Sequence, residues 1–166
     1  MKIFFTFLIC LFFVSSLAAQ KPLDELLEKN NTHSVSYISV EELRMFQMND
    51  SVTILDAREP EEFNVSHLES AINIGFNEFT FEAKQLQKLN KNIPVVVYCS
   101  LGIRSEKIGE KLKKAGFKDV KNLYGGIFEW KNKGYPVIDT KGKETENVHA
   151  FSKHWSQYLH AGNPIF

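Results

Sequence analysis

The run Val95–Tyr98 limits the fold of this chain more than any other stretch. It consists of three valines and a tyrosine, an apolar and largely β-branched run that is typical of a buried strand. Cys99 follows directly, and residues 105–115 then show the amphipathic spacing of a helix. Backbone N–H groups at the start of a helix are unpaired, so they stabilise an anion. The sequence therefore predicts a nucleophilic thiol at a strand-to-helix junction.

Short apolar runs alternate with helical patterns between residues 35 and 138. Ser39 and Glu42 form a Ser-x-x-Glu capping box, which predicts a helix start, and Gly116 is the expected end of a later helix. Strands are expected at residues 35–38, 52–55, 71–74, 95–98 and 120–123. Further helices are expected from residue 59, within 76–89, at 105–115 and at 127–132. This alternation predicts an α/β fold with a mostly parallel five-stranded sheet and helices on both faces.

Residues 1–19 have the pattern of a secretory signal peptide. Lys2 precedes an apolar run over residues 3–14, and small residues follow at 15–19. The run is short for a membrane span, and the alternative to cleavage is an uncleaved anchor. We expect cleavage, which makes the chain an exported protein, periplasmic or secreted, with no membrane association afterwards.

Cleavage after residue 19 would also remove Cys10 and leave Cys99 as the single thiol. An unpaired cysteine in an oxidising compartment is a liability unless it is buried or used in chemistry. The whole chain has no net charge, with 20 Lys and Arg against 20 Asp and Glu. Because a basic excess is absent, the composition does not favour a nucleic-acid partner.

The remaining segments are expected to flank one domain at residues 35–138. Residues 20–34 are predicted to form a lead-in helix or a loose arm, and residues 139–147 a linker. The rest of the C-terminal tail carries an aromatic stripe at roughly helical spacing, formed by Phe151, Trp155, Tyr158 and Leu159. We expect this stripe to pack on the domain; the alternative is a contact surface for a partner protein.

Four ordered motifs make the chain resemble single-domain rhodaneses, a family of sulfurtransferases. They are Asp56-Ala57-Arg58 with Glu62-Phe63; residues 67–74; residues 99–105; and Gly125-Gly126 with Trp130 and Gly134-Tyr135-Pro136. The resemblance covers residues 35–138 and implies a rhodanese-like fold. It also implies that Cys99 takes a sulfane sulfur from thiosulfate, polysulfide or a persulfide, holds it as a persulfide, and passes it to a thiol or cyanide. This chemistry requires neither a cofactor nor a metal.

The loop that begins at Cys99 is the expected anion cradle. A free thiol has a pKa near 8.5, so about 3% of it is thiolate at pH 7 and the site must favour the anion. Gly102 lets the backbone curl around the sulfur, Arg104 supplies positive charge, and Ser105 is expected to cap the following helix and offer a hydroxyl. The cradle residues are Ser100, Leu101, Gly102, Ile103, Arg104 and Ser105.

The length and composition of this loop bear on the substrate. Four residues separate Cys99 from Arg104, whereas cysteine phosphatases have a similar loop with five. The shorter loop favours a sulfur atom over a phosphoryl group. Thiosulfate-preferring members of the family carry basic residues directly after the cysteine, but this chain has Ser100 and Leu101 there. The physiological donor therefore stays open.

Asp56 and Arg58 match positions that the family places beside its pocket. Asp56 either orients loop groups or forms a structural ion pair, and the sequence leaves both alternatives open. For Arg58 we favour a structural pair with Glu62, four residues on, over binding of an anionic donor. His67 is expected to anchor backbone, because persulfide transfer from a thiolate needs no strong general base.

Two alternatives to these predictions concern metal binding and catalysis. His149, His154 and His160 are five and six residues apart, so one helix face cannot hold them and no metal site is expected. The alternative to a sulfurtransferase is a non-catalytic module of the same fold that carries a persulfide or binds a protein. The presence of Cys99 does not distinguish these two functions, because both would use it.

Overall fold

The computed structural model describes residues 22–166, so the predicted signal peptide lies outside the described residues. Residues 22–30 form a helix, α1, so the lead-in segment is helical and not a loose arm. Residues 33–166 form a compact unit that does not include this helix. Within residues 22–166, every helix is too short or too polar to cross a membrane.

A five-stranded sheet forms the centre of this unit. Its strands are β1 (Ser36–Ile38), β2 (Thr53–Asp56), β3 (Ile72–Asn73), β4 (Val95–Tyr98) and β5 (Val120–Leu123). They lie in the order β1-β5-β4-β2-β3, and all of the pairings are parallel. The predicted α/β fold with a parallel sheet is confirmed.

Helices connect these strands as parallel pairing requires. They are α2 (Val40–Met48), α3 (Pro60–Val65), α4 (Lys84–Gln87), α5 (Ile103–Lys114) and α6 (Gly126–Asn132). The predicted capping box is present, because the Ser39 hydroxyl accepts from the Glu42 N–H and the Glu42 carboxylate accepts from the Ser39 N–H. Gly116, with φ +93°, follows the end of α5 as predicted.

Strand β4 lies near the middle of the sheet and is buried along its whole length. Val95 and Val97 pack in one core cluster with Ile108 and Leu112 of α5, and all four side chains are inaccessible to solvent. The alternating residues Val96 and Tyr98 are equally buried. Burial on both faces explains the continuous apolar run, and it fixes the point at which Cys99 leaves the sheet.

Two segments differ from the sequence-based expectation of regular helix. Residues 76–89 contain only the single turn α4, because Thr80 accepts the Glu82 N–H and gives the chain a local alternative to helix. The aromatic tail is not one helix either. Its only helical turn is α7 (Lys153–Ser156), which lies between the paired strands β8 (Asn147–His149) and β9 (Asn163–Ile165).

The stretch expected to be a linker contains a turn and a strand. Strand β7 (Glu144–Thr145) pairs antiparallel with β6 (Val137–Ile138). The Asp139 carboxylate accepts the backbone N–H groups of Lys141 and Lys143, and the glycine within this turn has φ +73°. Asp and Gly at such positions are a turn signal, so residues 139–147 return the chain to the domain.

Backbone N–H groups at the N-terminus of α6 donate hydrogen bonds to the cysteine loop. Ile127 donates its N–H to the Cys99 carbonyl oxygen at 2.9 Å, and Phe128 donates to the Ser100 carbonyl oxygen at 3.2 Å. A Cβ atom on Gly126 would lie 2.2 Å from that Cys99 oxygen, and its φ is +56°. Glycine is therefore required at position 126 for two reasons. The backbone of the Cys99 loop approaches it closely, and its own backbone is left-handed.

Gly126→Ala is expected to destabilise the protein more than Gly134→Ala. Gly134 also has a positive φ, +80°, but its Cβ would meet nothing within 4 Å. The control should therefore show only the left-handed backbone cost of about 1–2 kcal/mol. Gly126→Ala should lose about 1–3 kcal/mol more from overpacking. Urea unfolding measures both values, and equal losses would contradict the described contact.

Candidate active site

Cys99 lies in the loop between β4 and α5, with its side chain 2% exposed. Gly102 closes the loop in a left-handed conformation with φ +110°, and its N–H donates to the Cys99 sulfur at 3.1 Å. Helix α5 begins at the next residue, Ile103. The backbone therefore curls around the sulfur, as the glycine in the sequence predicted, and points N–H groups at it.

Ser105 has a different role from the helix cap that the sequence predicted. The helix begins two residues before Ser105, because Gly102 already ends the loop. The Ser105 hydroxyl donates to Asn122 Oδ1 at 2.7 Å and lies 3.5 Å from the Cys99 sulfur. Asn122 in turn donates its amide to the Gly102 carbonyl oxygen at 2.8 Å. Asn122 thus holds both the loop and the hydroxyl beside the sulfur.

Arg104 forms the principal ion pair of the loop with Glu62 of α3. Two guanidinium nitrogens contact the carboxylate at 2.6 and 2.8 Å, and Ser100 donates its hydroxyl to the same carboxylate at 3.2 Å. Burial raises the pKa of Glu62, but the hydrogen bonds and charge of Arg104 more than offset it, so the pKa is lowered. The expected pair between Arg58 and Glu62 is therefore wrong.

The surroundings of Cys99 favour its thiolate. Burial raises the pKa of the thiol, yet the positive charge of Arg104 and the hydrogen bonds from Ser105 and Gly102 outweigh burial, so the pKa lies below its ordinary value. A thiolate is the reactive form of cysteine. The loop can thus hold an anionic sulfur nucleophile.

Asp56 and Arg58 form a buried ion pair and do not reach the pocket. Both side chains are inaccessible, and Arg58 Nη2 lies 2.6 Å from Asp56 Oδ2. Arg58 also donates to the Ser66 carbonyl oxygen at 2.7 Å, and its guanidinium lies 5.6 Å from the centre of the Tyr98 ring. The structural-pair alternative applies to both residues, but the partner of Arg58 is Asp56.

A pocket of about 210 Å³ opens at the cysteine loop. Two of its lining residues, Phe151 and Trp155, come from the C-terminal segment, which was predicted to pack on the domain or to contact a partner and not to line the pocket. Its lining residues are Cys99, Ser100, Leu101, Ile103, Arg104, Phe151 and Trp155. The pocket therefore places the thiol among mostly apolar side chains with one guanidinium.

His67 and Trp130 take structural positions. His67 Nδ1 lies 3.0 Å from the Phe63 carbonyl oxygen, and its backbone N–H donates to Ile138. Trp130 is 1% exposed and donates its indole N–H to the Pro136 carbonyl oxygen. The predicted role of His67 as a backbone anchor is confirmed, and Trp130 is a buried core residue. Residues 22–166 contain no group of three or more His, Cys, Asp or Glu side chains placed to hold a metal ion.

Three contributions to the site were missed by sequence reasoning. The sequence contains one signal for Asn122, because it is a polar amide in a short predicted strand that is otherwise largely apolar. Glu62 was assigned to the wrong partner, and Phe151 and Trp155 were not assigned to the pocket. Their roles depend on contacts between distant segments, which local spacing does not reveal.

A family comparison identifies the domain that carries this loop. The profile of the rhodanese-like domain matches residues 39–133, more than half of the chain. The chain belongs to the rhodanese-like domain family. The resemblance inferred from the four motifs is thereby confirmed.

Two curated relatives of this rhodanese-like chain are longer proteins. The tRNA uridine(34) hydroxylase of Pelagibacter ubique (strain HTCC1062) is 40% identical over 84 residues, which are 50% of this chain and 28% of that protein. The putative sulfur carrier protein YrkF of Bacillus subtilis (strain 168) is 34% identical over 104 residues, 62% of this chain and 55% of that protein. The chain thus spans about half or less of either relative.

Solved structures share the rhodanese-like fold. A rhodanese-related protein from Thermoplasma volcanium superimposes with a TM-score of 0.54 at 30% identity, over 62% of this chain and 97% of that one. A thiosulfate sulfurtransferase from Pseudomonas aeruginosa has a TM-score of 0.59 at 23% identity, over 81% of this chain and 25% of that one. The second likeness concerns the fold alone.

Arg104→Met should raise the pKa of Cys99, because it removes the positive charge that favours the thiolate. We expect alkylation of the thiol by iodoacetamide to reach half its maximal rate at a higher pH than in the unmodified protein. Arg44→Met is the control, since that guanidinium contacts Gln47 on α2. An identical pH profile for Arg104→Met and the control would contradict the electrostatic role of Arg104.

Proposed function

We propose that this rhodanese-like chain is a sulfurtransferase that carries a sulfane sulfur as a persulfide on Cys99. The observation that supports the proposal most strongly is the Cys99 thiol itself. It lines a pocket, its pKa is lowered, and its sulfur accepts the Gly102 N–H at 3.1 Å. An activated thiolate with access to a small molecule is the nucleophile that covalent sulfur transfer requires.

The proposed reaction has two displacement steps. The Cys99 thiolate attacks the outer sulfur of the donor, a new S–S bond forms, and the donor's own bond to that sulfur breaks. The electron pair leaves with the donor fragment, which is sulfite when the donor is thiosulfate. Cyanide or a thiolate then attacks the outer sulfur of the persulfide and releases Cys99 as a thiolate. Neither step needs a proton donor, which agrees with the structural position of His67.

The cradle residues have distinct parts in this scheme. Arg104 and the N–H groups of Gly102 and Ser105 stabilise the anionic sulfur before and after transfer. Glu62 holds the Arg104 guanidinium beside the loop through two hydrogen bonds. Asn122 positions Ser105 and Gly102 and does not itself contact the sulfur.

A sulfur carrier is the second candidate function, and a relative favours it. The Bacillus subtilis protein that shares 34% identity is named a putative sulfur carrier protein. A carrier of this kind would load one sulfur on Cys99 and release it to a partner protein, for which the C-terminal segment is the proposed contact. We do not propose for this chain the hydroxylase activity named for the Pelagibacter relative, because the match covers only 28% of that protein.

Cys99→Ser should abolish sulfur transfer while leaving the fold unchanged, because the hydroxyl is a far weaker sulfur nucleophile. We expect wild-type protein incubated with thiosulfate to gain one sulfur that cyanide removes, as measured by intact-mass spectrometry, and the variant to gain none. Circular dichroism checks the fold of both proteins.

Turnover separates the two candidate functions. Release of many thiocyanate ions per protein supports the sulfurtransferase, and release of a single one per loaded protein supports the carrier. Absence of both loading and turnover with thiosulfate, polysulfide and mercaptopyruvate would contradict the proposed function.

Export of the chain is a separate proposal, supported by the signal-peptide pattern of residues 1–19. Expression of the full chain in a Gram-negative bacterium should give a periplasmic protein that begins at Gln20. N-terminal sequencing of the periplasmic fraction measures this. A product that keeps residues 1–19 would contradict cleavage.

A further inference from the structure

Two aromatic side chains from outside the family match complete the wall of the Cys99 pocket. Phe151 and Trp155 lie beyond residues 39–133, yet both line the cavity with Leu101 and Ile103. Phe151 is 57% exposed, and the Arg104 guanidinium lies 5.3 Å from the centre of its ring. An exposed ring at the mouth of a pocket offers apolar surface that a ligand can cover.

The domain fixes the position of these rings. Asn132 of α6 accepts the His160 N–H at 2.7 Å and donates to the Tyr158 carbonyl oxygen at 2.9 Å. Val148 and Ala150, which precede Phe151, are fully buried, and the Ala150 N–H donates to the Ile165 carbonyl oxygen. Contacts on both sides of Phe151 and Trp155 therefore hold the rings in place at the pocket.

The charge of the pocket argues against a dianionic donor. Among the described residues that line it, Arg104 is the one cation, and its guanidinium is already bound to the Glu62 carboxylate. Thiosulfate would bring two negative charges beside the Cys99 thiolate. A donor with a single negative charge and an apolar group meets less repulsion, and it covers the aromatic surface as well.

We propose that Phe151 and Trp155 make this site selective for monoanionic sulfane-sulfur donors that carry an apolar organic group. The proposal rests on the proposed sulfurtransferase function and names its donor class. In the step concerned, the Cys99 thiolate attacks the outer sulfur of R–SO₂–S⁻. The S–SO₂R bond breaks, the sulfinate R–SO₂⁻ leaves with the electron pair, and the persulfide anion stays on Cys99. Charge and electrons balance without another reactant.

The test compares benzenethiosulfonate with methanethiosulfonate, two monoanions that differ only in the apolar group. Cyanide is the acceptor, and thiocyanate formation gives kcat/KM for each donor. We expect the ratio of benzene to methane donor to fall about tenfold in Phe151→Ala, a loss typical of a small change in an apolar pocket. Alanine keeps the Cβ atom, so the left-handed backbone at this position, φ +62°, has the same cost in both proteins.

Matched variants make the comparison specific to the pocket. Phe166→Ala removes an aromatic ring of the same segment, 61% exposed, that does not line the cavity, so its ratio should equal that of wild type. Trp155→Ala repeats the test at the second ring, provided that its circular dichroism spectrum is native. Benzenesulfinate should also inhibit Phe151→Ala about tenfold less strongly than wild type, because the product fragment loses the same contact.

The outcomes separate this inference from the proposed function. A lower ratio in Phe151→Ala with an unchanged ratio in Phe166→Ala supports the inference. Equal ratios in wild type and Phe151→Ala, with turnover of both donors, would overturn the donor class and leave the sulfurtransferase intact. Absence of both Cys99 loading and turnover with every donor, thiosulfate included, would overturn the proposed function itself.

Discussion

Burial of the Cys99 sulfur in surroundings that favour its anion is the constraint on which the rest of the site depends. Cys99 is almost inaccessible and lies beside Leu101 and Ile103, where a charge without compensation would cost several kcal/mol. Arg104 supplies the compensating charge, and the two hydrogen bonds that it donates to the Glu62 carboxylate keep the guanidinium in position. Because Glu62 belongs to α3 and Arg104 to α5, this single ion pair joins two helices to the loop between β4 and α5.

The buried ion pair between Asp56 and Arg58 stabilises the part of the domain that carries the loop. Asp56 ends β2 and is in register with Tyr98, the last residue of β4. Arg58 neutralises Asp56 and also donates to the Ser66 carbonyl oxygen. A buried charge that loses its partner costs about 3–5 kcal/mol, so each residue of the pair needs the other. One ion pair thus lies beside the Cys99 loop, and the other lies at the carboxyl end of β2.

Local signals predicted much of the fold, whereas the partners within the site depended on distant contacts. Val95–Tyr98 and the capping box at Ser39 are recognisable because neighbouring residues determine them. The prediction that Arg58 pairs with Glu62 was wrong because it assumed that both residues lie in one helix. Helix α3 begins only at Pro60, so Arg58 lies outside it. Asn122 reaches the loop because β5 pairs with β4, with Val97 and Asn122 in register. The spacing of residues within β4 or β5 does not predict which strands pair or in which register.

The hydrogen bonds between α6 and the cysteine loop also decide which way the loop's peptide groups face. Ile127 and Phe128 occupy the carbonyl oxygens of Cys99 and Ser100, so these oxygens are held by α6 while the Gly102 N–H faces the sulfur. A peptide flip that turned either oxygen inward would leave a buried group unpaired, at about 1–3 kcal/mol. The orientation of the loop's peptide groups is therefore fixed by a helix that does not line the pocket.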